Sequence, residues 1–287
     1  MRQYRSYVYI LLAGILWGLI GLFNRGLTAG GFSAQSIVLV RNVGGLLVLG
    51  LVFLVFDRSV FAVRLRHLPY FFGTGVVSVL LFTLCYFTCQ QQCSLAVAAI
   101  LLYTSPTFVV VLSALLWRDK ITWKKGLALA VTFLGCTFVS GVWSGGAAVT
   151  WQGLLLGIGS GFFYGLYSIF GRYALAHYKP FTVTFYTFLF AGAGALIACR
   201  PGELASSFAA QPQTFPLIAG LVLVSTVLPY LLYTRGLAEV DSGKAAILAS
   251  IEPVAAALVG VAAFGEPMGP MVLLGLGCIL LSVYILR

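Results

Sequence analysis

The sequence predicts an all-α integral membrane protein: ten transmembrane helices arranged as two inverted five-helix repeats. Three observations lead there. The chain is 61% hydrophobic and 8% charged, with a mean hydropathy of +1.03, far too little polar surface to cover a soluble domain of 287 residues. Its apolar runs are each about the 20 residues that cross a hydrocarbon core of about 30 Å. Sequence features also recur at a constant offset of 147 positions. Ala98-Ala99-Ile100-Leu101, Ser105-Pro106 and Trp117-Arg118-Asp119 are answered by Ala245-Ala246-Ile247-Leu248, Glu252-Pro253 and Gly265-Glu266.

The spans follow in order. The first, Tyr7 to Phe23, comes after Arg2 and Arg5, as in a signal peptide. Its Gly14, Gly18, Phe23 and Arg25 recur as Gly161, Gly165, Phe170 and Arg172, so it reads as a structural element. The second, Ser33 to Phe56, encloses Arg41. The third, Pro69 to Gln90, carries Thr83, Tyr86 and Gln90 on one helical face. The fourth, Ser94 to Trp117, has Pro106 near its middle, and the fifth runs from Trp123 to Trp143. The second five are Trp151 to Ala174, Phe181 to Cys199, Phe215 to Leu237, Lys244 to Phe264 and Met268 to Leu286. Residues Arg200 to Thr214 form the longest polar break and read as a loop. The two repeats occupy residues 7–143 and 151–286.

Loop charge orients the chain. Of the 17 Lys and Arg residues, Arg25 and Arg200 fall on one side and Arg41 lies within a span; the others fall on the opposite side. Basic loops face the cytoplasm, so both termini are expected there, in a bacterial-type plasma membrane. The net charge of +10 is thereby explained by topology, and no nucleic-acid partner is expected. Five spans per repeat is odd, so the second copy enters the bilayer upside down, which puts Arg25 and Arg172 on opposite sides. Inverted repeats are the mark of alternating-access transporters.

A resemblance to a known family rests on particular residues. They are Arg41 within the second span, the Pro106 span closing on Trp117-Arg118-Asp119-Lys120-Ile121-Thr122, then Gly126 and Gly135. Glu252-Pro253, Gly265-Glu266 and Gly275 repeat the pattern. Together they resemble the two EamA-type repeats of the drug/metabolite transporter superfamily, over nearly the whole chain. Arg118-Asp119 departs from the usual Gly-Glu pairing, and Ser105 stands where the second copy has Glu252. The resemblance implies a ten-helix transporter, often an exporter of amino acids, metabolites or toxic organic compounds.

Glu252 is the sharpest candidate for chemistry. It lies about 12 Å from the cytoplasmic end of its span by helical rise. An acid at the helix centre costs about 2.5–3.5 kcal/mol to insert, so it must face a partner or a cavity. Pro253 gives its carbonyl four residues back no N–H, freeing backbone oxygens for a ligand; Pro106 does the same in the first repeat. Arg41 is the other deep charge, open to pairing with Glu252, a solute carboxylate or helix carbonyls. Ser105, Trp17, Tyr86, Gln90, Tyr103, Tyr164 and Tyr230 complete the candidate cavity, offering polar atoms on apolar bodies. Gly14, Gly18 and Gly21, with Gly157, Gly161 and Gly165, read as ridges for close helix packing. His67 and His177 fall in loops and are expected to be solvated.

Cys85, Cys89 and Cys93 share a helical face, which suits packing better than metal, and no cofactor is expected. There is no phosphate loop and no catalytic triad at membrane depth. The expected partners are a small organic solute and the lipid bilayer. A sugar or phosphorylated-metabolite exchanger is the alternative within transport. A lipid-modifying enzyme or an assembly partner is the alternative outside it.

Overall fold

The structure is a computed structural model in which residues 2–93, 95–140, 142 and 150–286 are described. Ser94 and Trp143, named above as span ends, lie outside these residues. Among the described residues every regular element is helical, and eight helical stretches are long and apolar enough to cross a membrane.

The first stretch is α1 (Arg2–Gly18) and α2 (Ile20–Ala29), separated by one turn residue; α3 (Ala34–Phe56) follows. The third contains α4 (Leu68–Phe72), a π-helical stretch Gly73–Leu80, and α5 (Leu81–Gln92). The fourth is broken into α6 (Leu95–Leu102) and α7 (Ser105–Trp117), and α8 (Trp123–Val139) closes the first half. The second half opens with α9 (Trp151–Leu175) and α10 (Pro180–Ala198). Between Arg200 and Thr214, where the sequence reads as a loop, lies α11 (Pro201–Ala210), a surface helix started by Pro201 and by Glu203 in its first turn. Then come α12 (Phe215–Val222), a π stretch Leu223–Val227 and α13 (Leu228–Leu237). The chain ends with α14 (Ser242–Ala249), α15 (Glu252–Phe264) and α16 (Pro270–Ile285).

The repeat shows in the defects of these helices. The fourth span breaks at Tyr103–Thr104 and its counterpart at Ser250–Ile251, each just before a proline in the first turn of the next helix. Proline is tolerated in a first turn and not in a helix interior, so the break falls where proline dictates. The π stretches match as well: Val76–Leu80 and Leu223–Val227 are 147 residues apart.

Each half covers the other half's break. A Cβ on Gly14 would lie 2.7 Å from the Ala249 carbonyl oxygen, and one on Gly18 would lie 2.7 Å from that of Glu252. The equivalent glycines do the same across the fold: a Cβ on Gly161 would lie 2.7 Å from the Leu101 oxygen, and one on Gly165 3.2 Å from that of Ser105. Backbones approach this closely only where a side chain is missing. Gly21 has nothing within reach and takes no part. Likewise α8 and α16 cross at Gly135 and Gly275, whose missing side chains face each other's carbonyls.

Both termini lie at one end of the bundle, the terminal end. The Ser6 hydroxyl donates to Glu239 at 2.8 Å, and Leu286 shares a surface recess with Asp119, Lys125, Asp241 and Lys244. There Lys125 pairs with Asp241 at 2.8 Å, and Asp241 also caps α14 by accepting from the Lys244 amide. Burial pushes the Asp241 carboxyl up, but the hydrogen bonds from Lys125 and Lys244 outweigh it and hold its pKa below the ordinary value. Glu266 follows α15 at the far end, about 34 Å away by helical rise along the 23-residue span Ser242–Phe264. His67 corrects the expectation of a solvated loop residue. It is buried, with Nδ1 2.8 Å from the Tyr178 hydroxyl and its ring 4.4 Å from that of His177. A single turn of 3₁₀ helix, Leu65–His67, tucks the ring against the α9–α10 connection, a contact that loop charge does not foretell.

Candidate functional site

Where the two helix breaks meet the covering helices, the structure holds a small cavity. Trp17 from α1, Tyr103 and Ser105 from the first break, Tyr164 from α9, Tyr230 from α13, and Ser250 and Glu252 from the second break all face it. The free space is about 20 Å³, enough for a water and far short of an organic solute.

The walls are aromatic. Trp17 meets Tyr230 and Tyr233 at centroid distances of 5.3 Å each, and its repeat partner Tyr164 at 6.2 Å. Two residues equivalent by repeat thus touch at the pseudosymmetry axis. The tyrosines are fixed by their hydroxyls: Tyr233 to Ser168 at 2.7 Å and Tyr167 to Thr234 at 2.5 Å. Tyr164 and Glu252 line the same cavity. Glu252 occupies the first turn of α15, where the helix dipole favours a negative charge.

The remaining predicted residues stand around this cavity. Arg41 is buried, and its Nε donates to Thr226 Oγ1 at 3.4 Å. Thr226 belongs to the second π stretch and donates to the Leu221 carbonyl five residues back, at 2.8 Å. Among the described residues the ion pairs are Arg25–Glu266, Lys125–Asp241 and Arg172–Asp119. Arg41 and Glu252 therefore do not pair directly. Tyr86 packs against Cys89 and Cys93, and neither it nor Gln90 is part of the cavity wall. Pro106 lines the cavity; Pro253 is buried and is not part of its lining.

Besides the alanines Ala246 and Ala249, four lining residues escape the sequence reading: Tyr167, Ser168, Tyr233 and Ser250. Tyr233 carried a usable signal, since it is the repeat partner of Tyr86. Ser250 is likewise the partner of Tyr103. Tyr167 and Ser168 carried none, because nothing in an apolar helix tells which face meets a cavity.

Comparison with known proteins is now informative. The profile of the EamA-like transporter family matches residues 5–141 and again 151–287. The chain belongs to the EamA-like transporter family. An uncharacterized transporter of Archaeoglobus fulgidus is 31% identical over 278 residues, 96% of this chain and 94% of that one. The threonine/homoserine exporter RhtA of Escherichia coli K12 is 30% identical over 191 residues, 66% of this chain and 61% of that exporter. A solved crystal structure superposes with a TM-score of 0.79 at 15% identity, over 98% of this chain and 95% of that one, which shows the shared fold. This EamA protein is accordingly a multi-pass membrane protein of the drug/metabolite transporter superfamily, with two EamA segments and similarity to named transporters.

Proposed function

We propose that this EamA protein is a secondary active exporter of amino acids or related metabolites, spanning the plasma membrane ten times with both termini in the cytoplasm. Its repeats are residues 7–143 and 151–286, and the α8 and α16 helices complete the count. The observation that carries the reading is Glu252, an acid set in an aromatic cavity where the two repeats' broken helices come together. A carboxylate framed by aromatic faces suits an ammonium group. The breaks supply the rest of a zwitterion's partners. Helices α7 and α15 begin at Ser105 and Glu252 and offer their N-terminal dipole ends to a carboxylate, while the ends of α6 and α14 offer carbonyls to an amine. Similarity to a threonine/homoserine exporter supports the same substrate class.

A phosphorylated solute needs several deep cations. Arg41 is the deep one here and stands outside the cavity wall, bonded to Thr226, which disfavours that alternative. The decisive experiment is counterflow of radiolabelled amino acids in proteoliposomes. Saturable flux of an amino acid that Glu252→Gln abolishes supports the proposal. Flux limited to sugar phosphates, or none across the panel, overturns it.

A further inference from the structure

Two clusters outside the cavity repeat each other residue for residue. At the terminal end, Arg172 of α9 reaches the carboxylate of Asp119 with both terminal nitrogens, the longer contact being 3.3 Å, and its guanidinium lies 4.2 Å over the Trp117 ring. At the far end, Arg25 of α2 pairs with Glu266 at 2.5 Å, and its guanidinium lies 4.4 Å over the Phe264 ring. Arg25 and Arg172, Glu266 and Asp119, and Phe264 and Trp117 are each 147 positions apart.

The backbone repeats as well. Arg118 and Gly265 both take the left-handed conformation, with φ of 58° and 65°. Arg118 is the positive-φ residue other than glycine among those described, so a strained position is kept where glycine would serve. The amide of Asp119 bonds the Ser113 carbonyl at 3.5 Å, and that of Glu266 bonds the Gly260 carbonyl at 3.2 Å, the same helix-ending turn at the same offset. Each turn aims a carboxylate at the arginine of the other repeat.

We propose that these clusters are the two latches of the transport cycle. Each ties the end of a broken span to the glycine-bearing span of the other repeat that covers it, and each opens in alternation. The proposal rests on the alternating-access reading above. It is carried by position and by state. The glycine crossings at Gly14 and Gly18, and at Gly161 and Gly165, pin each helix pair near its middle, so the pair can part only beyond the pin, where the latch sits. Both latches are formed at once in this structure, and the cavity between them is too small for a solute. That is the closed intermediate such a cycle must pass through. A pure stability role for the clusters predicts no link between either one and access to the cavity.

The test uses Ser250→Cys, which lines the cavity, and a membrane-impermeant maleimide applied to intact cells or to inverted vesicles, with the unsubstituted protein as background. Adding Asp119→Asn should raise labelling at least threefold from one side of the membrane. Adding Glu266→Gln should raise it at least threefold from the opposite side. The exchanged pairs Asp119→Arg with Arg172→Asp, and Glu266→Arg with Arg25→Glu, should return labelling toward the starting level. Where a charge change blocks insertion, Trp117→Leu and Phe264→Leu replace it and are read by the same criterion. Increases on the same side, no change above twofold, or no return in the exchanged pairs would overturn the proposal. Labelling needs no solute, so a failure of the exporter reading shows separately, as absent flux in the unsubstituted protein.

Discussion

The two helix breaks are alike in backbone and unlike in chemistry. Both interrupt a span two residues before a new helix starts, both place a proline in its first turn, and both lie under a glycine ridge from the other repeat. Yet the first helix begins with Ser105 and the second with Glu252. The backbone frame is therefore symmetric, and the charge within it is one-sided. A carboxylate in the membrane is expensive, and one is enough to select a cationic end.

The largest expected effect tests that inequality. Glu252→Gln keeps shape and removes the charge, so flux should fall by about a hundredfold or more, the order of a lost charged contact in a low-dielectric site. Ser105→Ala, at the equivalent position, should leave flux within about threefold, because a neutral hydrogen bond contributes about 1 kcal/mol or less. Equal losses measured in the same vesicles would mean that the halves bind equivalently after all.

A second prediction concerns the covering glycines. A Cβ on Gly18 would sit 2.5 Å from the Ala255 side chain and 2.7 Å from a carbonyl, whereas one on Gly165 would meet Val109 at 3.0 Å. Gly18→Ala should cost about 2–3 kcal/mol by overpacking, and Gly165→Ala about 1 kcal/mol or less. Thermal unfolding in detergent measures the difference. A larger loss for Gly165→Ala would show that the second crossing is the tighter one.

How far the sequence anticipates these features depends on what each residue does to its own backbone. The breaks at Pro106 and Pro253 are legible because proline removes a donor wherever it stands. The close crossings at Gly14, Gly18, Gly161 and Gly165 are legible because a missing side chain invites contact. Glu252 is legible because hydrocarbon penalises charge. The π stretches are not, since Thr226 bonding five residues back looks like any threonine in an apolar run. Helix α11 is hidden inside a polar stretch that also reads as a loop. Lateral placement is hidden too: Tyr167 and Ser168 face the cavity while Tyr86 and Gln90 do not, and all four sit in similar surroundings in the sequence. Arg25 is legible as an exception in loop charge and Arg172 as its repeat partner, but their carboxylate partners and aromatic faces needed coordinates.

The third prediction uses an ion pair that one end has and the other lacks. Lys125 and Asp241 are 8% and 25% exposed, and the repeat-equivalent positions, Leu274 and Ser94, carry no charge. Asp241→Asn keeps an N-cap and loses the pair, for about 1–2 kcal/mol after allowing for partial solvent screening. The pH dependence has a definite sign. The folded-state pKa of Asp241 is lowered, so its stabilisation is fully present above the ordinary carboxylate range and is lost as pH falls through the folded value, below about 4. The melting-temperature gap between the native protein and Asp241→Asn should hold from pH 7 to about 4.5 and close below that. A gap that widens on acidification would contradict the assignment.

The smallest effect compares the two latches as contributors to stability. Their geometry is shared, but their surroundings are not. The side chains of Arg172 and Asp119 are 31% and 18% exposed, and those of Arg25 and Glu266 are 55% and 44% exposed. Exposed pairs contribute about 0–1 kcal/mol and weaken as salt is added, because water and ions already satisfy most of each charge. The more sheltered pair keeps its two-point contact and its seat on Trp117 under the same conditions, since both act at short range. Arg25→Gln should then lower stability by less than about 0.5 kcal/mol, vanishing near 0.5 M salt. Arg172→Gln should cost about 1 kcal/mol and persist there. Equal losses with equal salt dependence would remove the distinction. The predicted order would instead make the far latch the weaker of the two, so that the closed intermediate relaxes more readily by opening the far end than the terminal end.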